Sequence, residues 1–208
     1  DVEAVWVDGR RVGNPAEPLV RALRARAGAA ERYVHLGATS QDAVDTAAML
    51  VTGRAFALIE AALDGVAASC ASLAETHRDT PMIGRTLLQQ AVPITFGLKA
   101  AGWLDRVLDA RASLSIADAA RAVQLGGAAG TLSGYGADGR RVVELVGERL
   151  GLGIPTLPWH TSRGRLVAIG SALAAAKAVC GTNSAVAAIR TARPNQPLPA
   201  RMNIPLSA

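Results

Sequence analysis

Apolar residues recur at steps of three and four along most of this chain, and prolines and glycines cut the recurrence into segments. The longest uninterrupted run starts at Ser40. From there Val44, Ala48, Val51, Ala55, Leu58, Ala62, Val66, Cys70 and Leu73 fall on one stripe reaching about His77. That spacing predicts a single helix on the order of 55 Å long, at about 1.5 Å per residue. Ser40-Gln41-Asp42 supplies its start, with a hydroxyl for the first free amides and an acid beside the positive end of the helix dipole. A helix of that length is normally a rod in a bundle.

Asp79-Thr80-Pro81 ends the rod, and residues 82–90 read as a loop. A second run follows, with Ile94, Leu98, Ala101, Leu104 and Leu108 on one face, fading towards Val123. Pro93 sits near its start, where a missing N–H is harmless. Two long helices joined by a short break suggest antiparallel neighbours. Shorter helices are expected over residues 15–26, closed by Gly28, over 140–150, and from 161 to about 189. Residues up to 14 show no clear period, 124–136 are glycine-dense, and the stretch from Pro194 carries prolines without a helical period. Nothing alternates as strands do. The expected fold class is all-α.

Composition agrees with that pattern. Half of the residues are hydrophobic but only 3% are aromatic, so the core is built from Ala, Leu and Val. Such a core suits closely approaching helices better than a β-sandwich. The net charge of +5 comes almost entirely from arginine and raises the question of nucleic acid. The arginines are scattered, however, and none lies among interleaved aromatics as in a stacking platform. An Arg-rich solvated surface and a site for a multiply anionic small substrate both stay open. Cys70 and Cys180 form no framework, which points to a reducing compartment. The opening Asp1-Val2-Glu3 has no leader character, and no uninterrupted apolar stretch reaches the roughly 20 residues that span a bilayer. The expectation is a cytoplasmic protein with neither a membrane nor a nucleic-acid partner.

Three segments carry candidate chemistry. His35-Leu36-Gly37-Ala38-Thr39-Ser40-Gln41-Asp42 is a glycine-containing loop running into the N-terminus of the long helix. Free amides, the helix dipole and the Thr39 and Ser40 hydroxyls together suit a carboxylate, with Gln41 as a neutral amide and His35 as a titratable partner. Equally, Ser40 is an ordinary N-cap and His35 a loop histidine. Gly84-Arg85-Thr86-Leu87-Leu88-Gln89-Gln90 offers the Arg85 fork, the Thr86 hydroxyl and the Gln89 amide for a carboxylate, or simply an arginine crossing a bundle surface. Trp159-His160-Thr161-Ser162-Arg163 places an imidazole at another helix start, where His160 is a general acid or base, or a neighbour of an N-cap. The glycine run 126–131 lacks a P-loop lysine and a preceding strand, so it reads as a tight backbone turn. His77 reads as a structural cation at a helix end. The histidines are far apart, with no paired ligand spacing, so no metal is expected.

HLGATSQDAVD at 35–45, GRTLLQQAVPITFG at 84–97, QLGGAAGTLSGYG at 124–136 and PWHTSR at 158–163 together resemble the fumarase/aspartase superfamily. Within it, the best resemblance is to 3-carboxy-cis,cis-muconate cycloisomerases. Adenylosuccinate lyases have a proton-transferring histidine after Gly-Arg-Thr, and here that place is Leu87. The resemblance implies a long-helix bundle incomplete at both ends. Residues 1–40 would be a remnant of an N-terminal helical domain, 41–190 part of the central bundle, and 191–208 an irregular tail. It implies closure of a tricarboxylate to a γ-lactone in aromatic catabolism, with Thr39, Ser40, Gln41, Arg85, Thr86 and Gln89 binding carboxylates and His160 handling the proton. No metal or organic cofactor is implied, and the family's homotetramers combine loops from three subunits. Two other readings stand beside it: a β-elimination lyase acting on a succinyl-type substrate, and a non-catalytic helical oligomer.

The family's Gly-Ser-Ser-x-Met-Pro loop, which carries the serine usually taken as base, has no counterpart in this sequence. The 208-residue chain alone is therefore expected to turn over little or nothing. The text beyond Lys177 fits neither the family nor a bundle helix, and a frameshift would account for it. PWHTSRGR also departs from the family's PWHTQRDR at Ser162 and Gly164.

Overall fold

The computed structural model describes residues 2–182. Among these described residues six α-helices and one hairpin follow in order: α1 (Val2–Val12), α2 (Ala16–Ala27), α3 (Ser40–Thr76), β1 (Pro81–Thr86), β2 (Gln89–Thr95), α4 (Phe96–Ala119), α5 (Gly139–Leu150) and α6 (Gly164–Thr182). Short 3-10 turns at Gly28–Tyr33 and Ser133–Asp138 lead out of α2 and into α5. The expected tail at 191–208, and the continuation of the last helix to 189, lie outside the described residues.

The chain divides into two compact units. One comprises Asp1–Arg54 with Asp118–Val167; the other comprises Ala55–Ala117 with the described part of Ala168–Ala208. In the second unit the buried side chains follow a three-four rhythm: Phe56, Leu63, Ala67 and Cys70 on α3; Ala100, Val107, Ala110, Leu114 and Ala117 on α4; Ile169, Ala172, Ala176 and Val179 on α6. Burial at that spacing is what a helix shows when one face packs inward. Arg111 on α4 pairs with Asp64 on α3 at 2.8 Å.

The buried face is not the stripe expected from the sequence. Val51 and Leu58 on α3, and Leu98 and Leu108 on α4, are exposed. Both helices are apolar around most of their circumference, so spacing alone cannot say which face turns inward. On α4 the inward face is largely alanine, whereas on α3 it carries Phe56, Leu63 and Cys70. By length and mean hydropathy α3 is apolar enough to cross a membrane, although charged residues interrupt its apolar runs and a bundle's core helix passes the same test.

Residues 82–90, expected as a loop, are instead most of an antiparallel hairpin. Met82 pairs with Ile94, Ile83 with Pro93, Arg85 with Gln90 and Thr86 with Gln89, with a bulge between Ile83 and Arg85. Pro93 is therefore a strand residue, tolerated because a two-stranded ribbon has open edges. Thr95 then caps α4, its hydroxyl accepting from the Leu98 amide at 3.1 Å. Gly97 lies where α4 begins against the end of α3, and an added Cβ would stand 2.7 Å from the carbonyl oxygens of Ala74 and His77. Residues 2–12, where no period was read, form α1, with Gly9 packed on Pro15.

Candidate active site

The first unit holds a buried polar cluster built on the first turns of α3. Asp42 and Asp45 lie three residues apart, both almost fully buried, at 3% and 2% exposure. Carboxylates near a helix N-terminus are favoured by the dipole, but burial requires partners for their oxygens. Asp42 Oδ2 accepts from the backbone amides of Thr39 and Gly127, each at 2.9 Å, and Oδ1 accepts from Gln124 Nε2 at 2.8 Å. The bond from Thr39 is half of a capping box, with Thr39 as cap and Asp42 at the third helical position.

Gln124 is the hub of this cluster and is itself 1% exposed. A parallel bridge between Ala122 and Gly153 anchors the strand-like segment that carries it. Its amide donates to Thr46 Oγ1, whose hydroxyl donates to the Gln124 carbonyl, both at 2.9 Å. Its side-chain oxygen accepts from the Trp159 amide at 2.6 Å, and its side-chain nitrogen lies 3.4 Å from His160 Nδ1. Trp159 is buried, with its indole N–H on the Val123 carbonyl at 2.9 Å. Arg163 forms a two-pronged pair with Asp45 at 2.7 and 2.9 Å, and it also donates to the His160 carbonyl at 3.0 Å. Hydrogen bonding to Asp45 holds this guanidinium above the usual arginine range, against the opposing effect of burial.

Glycines let the loops meet. Gly134 lies so close to Gly37 that a Cβ would come within 2.4 Å of the Gly37 Cα. Gly130 lies beside the imidazole, where a Cβ would stand 3.0 Å from His160 Cε1. The glycine-dense 124–136 segment is thus a tight backbone turn packed on the 35–37 and 158–160 loops. Tyr135, His35, Asp42 and Thr46 help line an open cleft of about 470 Å³. Burial pushes the Tyr135 phenol above its ordinary range, and the charge of Asp42 pushes it further.

The expected site residues are distributed as follows. Thr39 caps α3. Ser40 is the first helical residue rather than the cap, and its hydroxyl accepts from Asn14 Nδ2 at 2.9 Å. Gln41 donates to Asp45 at 2.8 Å. His160 joins this cluster through Gln124 and Arg163, in a turn ahead of α6 rather than in the helix itself. His35 and Ser40 share a second cleft with Arg21 and Arg24, about 520 Å³ in volume. Arg85, Thr86 and Gln89 are exposed on the hairpin of the other unit, flanking its tip at Leu87-Leu88. The sequence reading missed Asp45, Gln124 and Arg163 as site residues. The available signal was the spacing of two acids, at the third and sixth helical positions, since capping accounts for Asp42 but not for Asp45. Among the described residues no group of three His, Cys, Asp or Glu is placed to hold a metal ion.

Residues 12–182 match the lyase family model. The chain belongs to the fumarase/aspartase-type lyases. It is 48% identical over 193 residues to the nitrosuccinate lyase of Streptomyces davaonensis, covering 87% of this chain and 41% of that protein. It is 44% identical over 186 residues to the 3-carboxy-cis,cis-muconate cycloisomerase of Bradyrhizobium diazoefficiens, with the same two coverages, 87% and 41%. Among solved structures, the 3-carboxy-cis,cis-muconate lactonizing enzyme of Pseudomonas putida superposes with a TM-score of 0.79 at 43% identity, over 84% of this chain and 41% of that one. This lyase-family chain thus spans about two fifths of the length of the relatives it matches.

Proposed function

We propose that this lyase-family chain carries part of a 3-carboxy-cis,cis-muconate cycloisomerase. One substrate carboxylate oxygen bonds to an alkene carbon, closing a γ-lactone. Electron density moves onto the carbon beside another carboxyl group, and that carbon takes a proton. Such a site must hold several carboxylates and meet the developing charge with fixed donors. Thr39, Ser40, Gln41, Arg85, Thr86 and Gln89 serve as carboxylate binders, and His160 serves the protonation step. The observation that carries this reading is Leu87 at the hairpin tip, next to Thr86: a leucine exchanges no proton, which favours ring closure over the histidine-dependent adenylosuccinate elimination. We further propose a cytoplasmic homotetramer. The exposed apolar residues Leu58, Leu98, Leu108 and Ile116 support self-association, and the unpaired buried thiol of Cys70 supports a reducing compartment. The 48% identity to a nitrosuccinate lyase favours one alternative, elimination from a succinyl-type substrate.

A chimera separates the two. Residues 12–182 are exchanged into the Pseudomonas putida enzyme, which supplies the rest of the chain. The chimera is assayed by loss of the diene's ultraviolet absorbance and, separately, by consumption of nitrosuccinate. Lactonisation is expected, with His160→Gln lowering kcat by roughly 10²–10⁴, the scale of a lost acid or base. Nitrosuccinate turnover without lactonisation would establish the alternative. The 208-residue chain alone should show little or no lactonisation, since it lacks the serine loop.

A further inference from the structure

We propose that Gln124 is a positioning residue for His160, holding the imidazole in the tautomer that carries its proton on Nε2. His160 then acts as a donor and not as a base. The proposal refines the reading of His160 given above.

The orientation of the Gln124 carboxamide is set by two neighbours with opposite demands. Its oxygen faces the Trp159 N–H at 2.6 Å, and its nitrogen faces Asp42 Oδ1 at 2.8 Å. Turning the amide over would set oxygen against carboxylate and NH2 against N–H. Both contacts are buried, so water cannot relieve either one. Asp42 cannot turn away, because its other oxygen is held by the Thr39 and Gly127 amides. The nitrogen of Gln124 is therefore the atom 3.4 Å from His160 Nδ1. A donor on one side requires a lone pair on the other, so Nδ1 is unprotonated and the neutral ring keeps its hydrogen on Nε2.

The rest of the turn fixes the ring in place. Arg163, anchored on Asp45, holds the His160 carbonyl, and Gly130 leaves room beside Cε1. Among the described residues, none takes a hydrogen bond from Nε2. That N–H is the group His160 presents. It can stabilise negative charge beside a substrate carboxyl group, or give its proton to the adjacent carbon and regain one from water. It cannot accept a proton at Nε2, so abstraction must fall to another group. A neutral histidine used as a donor is a known solution to this chemical problem.

The test needs no turnover, so it can fail while the cycloisomerase reading stands, and the reverse. The chain is labelled with 15N-histidine, and the ring nitrogens are read by long-range 1H–15N correlation at a pH where the ring is neutral. A His160→Gln spectrum identifies the His160 signals among the three histidines. Wild type should show a pyridine-type Nδ1 and a pyrrole-type Nε2. The paired exchange Asp42→Asn with Gln124→Glu reverses the donors at unchanged net charge, and should move the proton to Nδ1. A pyrrole-type Nδ1 in wild type overturns the proposal. So does a tautomer unchanged in the exchange variant. If that variant does not fold, Gln124→Met decides: mixed tautomers support the role of Gln124, and a pure Nε2–H ring sinks it. In the chimera, Gln124→Met should lower kcat while leaving KM nearly unchanged.

Discussion

Tyr135 shows how one residue reports on the cluster. Burial and the nearby charge of Asp42 both disfavour its phenolate, so its pKa lies above the ordinary value of about 10. A raised pKa in the folded state means that the native protein holds this proton more tightly than the unfolded chain. The contribution to stability is complete below about pH 10 and is lost as pH rises through the folded-state value. Tyrosinate absorbance should therefore show a late ionisation that Tyr135→Phe removes, and the variant's stability should fall less steeply above pH 10. Gly164 is a second local case. It is the first residue of α6, and an added Cβ there meets no atom within 4 Å. Gly164→Asp restores the acid of the family pattern beside the positive end of the helix. It should stabilise by about 0.3–1 kcal/mol, read as a rise of a few degrees in Tm.

Among the elements, the hairpin departs most from what its residues favour. Its two-residue turn places Leu87 and Leu88 at φ of 47° and 63°, and the two side chains are 92% and 97% exposed. Such turns favour Asn-Gly, because a side chain at positive φ costs about 1–2 kcal/mol per residue. Two leucines held there in water are strained and poorly solvated together. The double substitution Leu87→Asn with Leu88→Gly should raise the thermal midpoint, measured by circular dichroism; no rise would mean that the turn is not strained in solution. The missing turn signature also explains why the hairpin was invisible in the sequence. Leu-Leu marks no turn, Gly84 and Pro93 look like breakers, and the bulge spoils the alternation. The long helices were legible for the opposite reason. From Ser40 to Thr76 no proline intervenes, and a local period suffices to specify a helix wherever it is buried.

At the scale of the whole molecule, the apolar residues left outside the buried helix faces matter most. Leu58 is 75% exposed and Ile116 72%, each on a long helix whose opposite face is buried. If copies of the chain associate as proposed, Leu58→Lys with Ile116→Lys should lower the mass measured by light scattering without loss of helical signal. An unchanged mass would argue against these faces as contacts. The sequence by itself determined the helical class, the ends of α3 and the family, because periodicity, caps and loop motifs act over a few residues. It also singled out the segments that hold Thr39, Ser40 and Gln41 as candidates for carboxylate binding, and the one that holds His160 as a candidate for proton transfer. Only the tertiary structure decided which helix face turned inward, since an Ala-, Leu- and Val-rich helix is apolar nearly all round. It alone brought Gln124 between Asp42 and His160, residues 82 and 36 positions away from it. No local rule foretells a hydrogen bond across such a distance, and through that bond a buried carboxylate settles which nitrogen of the imidazole holds the proton.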